Sequence, residues 1–222
     1  MTAMLLKDWY GFWSAYKKNL VATLLIYGVL SIGTDMEFLA VMLPYLMAYY
    51  GLSCVSMDDL SHWGVYGRTL PVGIEGNVAA KYAFTLLCGT AGMLSCWGIG
   101  AVHWAIRPGS VDWLEDYAAS GLACLLTALL MMSLILPQAL KSGVEKARMT
   151  MLWIAGIFIG LLMLVKFGIG GVFAQVTHSA NKALEWANAH PAVLLAGLTL
   201  AVLLAYGVSY RMSCRICLEK EE

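Results

Sequence analysis

Charge is what these 222 residues have least of: only 13% are Asp, Glu, Lys or Arg, about half the share of an ordinary globular chain, where roughly 25% are charged. With 60% hydrophobic residues and a mean hydropathy of +0.73, too little polar surface exists to coat a water-soluble fold, so the chain is an integral membrane protein. The 14 basic and 14 acidic residues cancel, and without a basic excess nucleic acid is not a partner. Several chemical signatures are also missing. No GxxxxGK[ST] loop is present to cradle ATP, no HExxH to hold a protease zinc and no GxSxG nucleophile turn. His62, His103, His178 and His190 are scattered and read most simply as loop or interface residues. No chemistry, metal or cofactor is therefore expected within the chain itself.

Of six cysteines, Cys54, Cys88, Cys96 and Cys124 fall in or beside apolar runs, where a thiol behaves as a small hydrophobe. Cys214 and Cys217 form a single CxxC, which without a second Cys or His pair is a weak metal or redox signal. Lys17 and Lys18 precede an apolar stretch, but no small-x-small cleavage site follows "LVATLLIYGVLSIG", so it reads as an uncleaved span.

A helix needs roughly 20 apolar residues to cross about 30 Å of hydrocarbon. Six runs qualify, at about 19–33, 36–55, 81–105, 117–139, 150–173 and 191–210. The first is short and could be re-entrant, so the Lys and Arg distribution arbitrates, because cytoplasmic loops collect these residues. Six spans with both termini inside place eleven of them, among them Lys7, Lys81, Lys146 and Arg211, on the inner side and only Arg107 and Lys182 outside. Removing the first span leaves five inside and eight outside. Six spans are expected, as one all-α membrane domain filling residues 1–222.

Residues 1–18 carry Leu5, Leu6, Trp9, Trp13 and Tyr16 at helical spacing with Lys7, Asp8, Ser14, Lys17 and Lys18 between. That pattern suits a helix lying in the interface with its rings at headgroup depth; the other reading is an extension of the first span. Pro44, near the middle of the second run, frees a carbonyl and predicts a kink. The small residues of "CGTAGMLSCWGIGA" and the GxxxG of "GIFIG" allow helices to approach closely, either within the chain or across a dimer seam. Lys166, in "LLMLVKFGIGG", is the clear charge within a run. It lies about 24 Å along its helix from residue 150, so it either snorkels to headgroups or lines a translocation path with Pro44, facing cargo or Asp35 and Glu37.

Residues 56–82 are too polar for hydrocarbon and too patterned for a plain turn. Ser61, Trp63, Tyr66 and Thr69 recur at near-helical spacing, and Pro71 ends the pattern. An amphipathic helix there, on the cytoplasmic side, would enter a groove on another protein or rest on lipid headgroups.

The run Asp58-Asp59-x-Ser61-x-Trp63-x-x-Tyr66, then Thr69-Leu70-Pro71-Val72 and Asn77-Val78-x-x-Lys81-Tyr82, resembles the ABC-2 type permeases. It is most similar to the small six-span group that includes the membrane subunits of phenol-soluble modulin exporters. "PQALKSGVEKAR" and the tail "SYRMSCRICLEKEE" extend the likeness over most of the chain. The resemblance implies a permease subunit of an exporter in a bacterial cytoplasmic membrane. Two such subunits, alike or different, would pair with two ABC ATPase subunits that bind ATP and magnesium. The helix between the second and third spans would be the coupling helix, with Asp58, Asp59, Ser61, Trp63, Tyr66, Leu70 and Pro71 marking the ATPase contact. After Pro71, "GIEGN" departs from the basic residues that relatives often carry, which weakens the case for a salt bridge there. The cargo implied is an amphipathic or antimicrobial-type peptide; drug or lipid export, or a non-transporting scaffold or sensor, are the alternatives.

Overall fold

The computed structural model describes residues 2–61, 63, 73–107, 112–167 and 191–219. Every element among them is helical: α1 (Thr2–Thr34), α2 (Glu37–Val41), α3 (Leu43–Leu60), α4 (Gly73–Ile106), a π-helical stretch (Trp113–Ala119), α5 (Ser120–Ser142), α6 (Val144–Phe167) and α7 (Pro191–Glu219). Four helical stretches are long and apolar enough to cross a membrane: Glu37–Leu60, Gly73–Ile106, Asp116–Ser142 and Leu195–Glu219. They coincide with the second, third, fourth and sixth expected spans, and the chain is a multi-pass membrane protein. The fifth expected span overlaps α6, which begins earlier than predicted; residues 168–173 of that run lie outside the described part.

The first two expected elements prove to be one. No proline interrupts residues 2–34, and the helix continues unbroken through position 18, where a separate interfacial helix was expected to stop. The inward face of its first half is Met4, Asp8 and Phe12, one residue per turn, all buried. Phe12 meets Tyr50 and Phe84 edge-on, with centroids 4.9 and 5.5 Å away, and stacks on Tyr16. The segment is thus seated on α3 and α4, while Lys17 and Lys18 remain exposed.

In hydrocarbon, apolar contact alone gives helices no reason to associate, so close backbone approach and hydrogen bonds hold them together. The α3–α4 pair is built on that rule. A Cβ added at Gly92 would lie 2.7 Å from the Leu43 carbonyl oxygen and 2.8 Å from Pro44 Cα, so the two backbones touch there. At Gly51 the vacant space is filled by Thr85, whose hydroxyl donates back to the Lys81 carbonyl at 2.9 Å. Gly89, Gly92 and Gly100 of the third run therefore pack within the chain, whereas Gly98 is exposed with no described atom near its missing Cβ position. Gly156 and Gly160, the GxxxG of α6, have no described atom near their missing Cβ positions.

Prolines shape two helices. Pro44 sits in the first turn of α3, where its missing N–H is tolerated. The break falls at Met42 between α2 and α3, nearer the start of the span than the predicted mid-span kink. Pro137, inside α5, cannot bond the Ser133 carbonyl one turn back. The Ser209 hydroxyl of α7 donates to that carbonyl instead, and Tyr82 Oη lies 2.7 Å from Ser209 Oγ and 2.8 Å from Ser213 Oγ. Around this polar stitch pack Leu52, Val55, Val78, Met132, Ile135 and Leu136. Gly143, at φ +87, ends α5 in a conformation open to glycine and turns the chain into α6 within one residue.

Candidate functional site: the buried charge cluster beside Trp63

Where α1 begins, α3 ends and α4 starts, four ionised side chains converge. Asp8 and Lys81 are each 2% exposed, Asp58 17% and Lys7 27%. Lys81 Nζ donates to Asp8 Oδ1 at 2.7 Å and stands 2.6 Å from Asp58 Oδ2, with the Cys54 carbonyl oxygen at 3.5 Å. Lys7 Nζ donates to Asp58 Oδ1 at 2.6 Å and lies 3.1 Å from Asp8 Oδ1. Each cation thus faces both anions, and the four charges cancel. Cancellation is what makes such a group tolerable in a dry bundle, since an ion stripped of water costs several kcal/mol unless paired and hydrogen-bonded. Asp8 Oδ2 has no hydrogen-bond partner among the described residues.

The local sequence explains the convergence. Met4, Asp8 and Phe12 share the inward stripe of α1, so Asp8 is carried in by the apolar residues a turn either side. On α4, Lys81 occupies the same face as Asn77 and Thr85, four residues away in each direction. Asp58 and Asp59 are in the last turn of α3, with Ser61 just beyond, its hydroxyl donating to the Met57 carbonyl at 2.8 Å. Beyond Ser61 stands Trp63, half-buried, with Lys7 Nζ 4.3 Å from its ring centroid, a cation–π contact.

Of the residues expected to mark an ATPase contact, Asp58, Asp59, Ser61 and Trp63 fall together at this end of α3. Asp58 and Asp59 belong to the spanning helix itself, while most of the segment in which a separate coupling helix was expected, residues 64–72, lies outside the described residues. Tyr66, Leu70 and Pro71 lie outside the described part, and so does the side chain of Lys166, whose backbone is in α6. Pro44 is buried against α4, far along α3 from the cluster. The sequence places Lys81 among the inner-side cations and Lys7 and Asp8 between the rings of an interfacial helix; the structure buries Asp8 and Lys81 and makes them partners. The missed signal was the stripe of Met4, Asp8 and Phe12 on one side and Asn77, Lys81 and Thr85 on the other.

A second polar group occupies the opposite ends of α1 and α4. Asp35 ends α1 at φ +54, a left-handed conformation that Asp tolerates better than most residues. Its carboxylate accepts from Arg107 and lies 3.2 Å from His103 Nε2. Arg107 holds the Asp35 carboxyl below its ordinary value of 3.8. His103, expected as a loop or interface residue, is fully buried, with Nδ1 2.7 Å from Tyr117 Oη, which stands 3.4 Å from Ser31 Oγ. Tyr117, on the π-helical stretch, fills the space left by Gly100. From Lys81 to His103, α4 rises about 33 Å at 1.5 Å per residue, close to the roughly 30 Å thickness of a bilayer's hydrocarbon.

No curated protein and no solved structure matches the chain. No group of three or more metal-binding side chains occurs among the described residues. The family described as ABC-2 family transporter protein matches residues 3–217, nearly all of the sequence, and the chain therefore belongs to the ABC-2 transporters as a membrane-embedded permease subunit.

Proposed function

We propose that this permease subunit works in an ATP-driven exporter of amphipathic peptides, and that residues 56–82 receive force from a separate ABC ATPase at the cytoplasmic face. Family membership implies the ATPase partner. The observation that supports the placement of the contact is the buried charge cluster directly beside Ser61 and Trp63. A push on the segment after Leu60 reaches Asp58, and through Lys7 and Lys81 it reaches α1 and α4 at once. Pulling one of these helices away would leave an unpaired buried ion, so the three move together.

In this reading α1 is a sixth crossing, because it accompanies α4 from one polar cluster to the other over about one bilayer thickness. Both termini then lie inside, with the Asp58 end cytoplasmic and the Asp35 end outside. ATP binds and is hydrolysed, with magnesium, on the partner. The two nucleotide states of the ATPase favour different arrangements of the segment, and that difference in affinity drives the change of access. A second permease completes the cavity, and Pro44 and Lys166 lie along the path.

Co-expression with the ABC ATPase and reconstitution in vesicles tests this. Trp63→Ala should lower ATP-dependent peptide transport by about tenfold or more, as truncating a central aromatic anchor does at other interfaces, while the permease alone unfolds as the wild type does. Undiminished assembly and transport in that variant would end the coupling assignment.

A further inference from the structure

The chain of groups at the Asp35 end has a property that its position alone does not require. His103 is enclosed completely, yet one edge of its ring meets a carboxylate that is 55% exposed. With the imidazole neutral, Nε2–H donates to Asp35, Tyr117 Oη–H donates to Nδ1, and the Ser31 hydroxyl faces the Tyr117 oxygen. With the imidazole protonated, Nδ1–H donates to Tyr117 Oη, whose own hydrogen turns to Ser31 Oγ. Both protonation states leave every group in the chain with a partner.

The surrounding charges decide which state grips harder. From the α1–α2 turn comes Asp35, from α2 Glu37, from the π-helical stretch Asp116 and Tyr117, and from α4 itself Arg107. Three carboxylates and one guanidinium thus stand around the buried imidazole. Protonation turns the Nε2–H···Asp35 contact into a bond between two ions, and charge-assisted hydrogen bonds are roughly twice as strong as neutral ones. Histidine is the side chain that ordinarily changes charge between pH 5 and 8, and the exposed Asp35 carboxylate connects it to water.

We propose that Asp35, His103, Tyr117 and Ser31 form a proton-sensitive clamp that holds the α1–α2 turn to α4 and the π-helical stretch, tighter when the surrounding medium is acidic. The clamp joins the end of α1 to the last turn of α4, so it sets how easily the Asp35 end of the bundle separates. It needs no ATPase, and it stands or falls independently of the transport reading.

Hydrogen exchange of the full chain in lipid nanodiscs at pH 5.5 and 7.5 tests it, with intrinsic rates corrected for pH. Amides of residues 34–39 should be protected roughly fivefold more at pH 5.5, the scale of change from a neutral to a charge-assisted hydrogen bond. His103→Gln should abolish the difference. Asp35→Asn alters only an exposed side chain, and Asn tolerates the left-handed backbone. It should also flatten the response, and it serves should His103→Gln fail to fold. Protection that is independent of pH in the wild type, that rises toward pH 7.5, or that keeps its full pH response in the variants overturns the proposal.

Discussion

At the Asp58 end, two lysines and two aspartates meet beneath the surface with their charges cancelled, whereas at the Asp35 end a buried imidazole hands over stepwise to an exposed carboxylate and guanidinium. Both groups join α1 to α4, about a bilayer's thickness apart. The first is strict at its centre, because removing either Lys81 or Asp8, each 2% exposed, strands the other where water cannot solvate it. The second is graded: Asp35 and Arg107 are 55% and 46% exposed, so water shares their load, while His103 and Tyr117 behind them are sealed. One end holds its ions by mutual pairing, the other shares them with water.

The contrast is easiest to break at Lys81. Lys81→Met should cost about 3–5 kcal/mol of unfolding free energy in detergent, because Asp8 loses its buried partner. Adding Asp8→Leu should recover most of that loss by removing the stranded charge and leaving Lys7 and Asp58 one for one. Chemical unfolding of the single and double variants reads this directly, and a harmless Lys81→Met would show that the cluster is not sealed from water. A smaller effect is expected at the other end. Tyr117→Phe leaves His103 Nδ1 without its buried partner and should cost about 1–3 kcal/mol, measured in the same way.

The least effect belongs to Arg107→Gln, because an exposed ion pair contributes little to stability. At neutral pH its melting temperature should fall only slightly. Asp35 is held below its ordinary value of 3.8 by Arg107, so the contribution of that pair is complete above that value and is lost as the pH falls through the lowered one. The melting curves of wild type and Arg107→Gln should accordingly converge as the pH drops below about 4, the ordinary range of an aspartate. Curves that diverge on acidification would mean that Arg107 does not act through Asp35.

Much of the fold was readable because lipid imposes simple rules. Four spans stand where apolar length put them, and the glycine-rich third run packs closely, as small residues in hydrocarbon should. Pro44 was recognised as an interruption, and the break at Met42 two residues before it follows from its missing N–H. The charges were harder to read. A lysine at the edge of an apolar run looks the same whether it faces water or an aspartate 73 positions away in sequence, and counting basic residues by loop treats both alike. Asp8 lay hidden in the opening segment because the exposed tryptophans and lysines there suggested a surface helix, while the inward stripe comprised one residue per turn. His103 stood in an apolar run with Arg107 four residues on, a spacing that signals a shared partner only once Asp35 is brought alongside.

Pro137 deprives the Ser133 carbonyl of its partner in α5, and a hydroxyl from α7 takes the vacancy. In a solvent without water, parting the two would expose a naked backbone oxygen at a cost of several kcal/mol. The place where α5 is weakest is therefore also where it is spliced to its neighbour. A flexing of this knuckle during the working stroke would drag the final helix along, like two fingers wearing one ring.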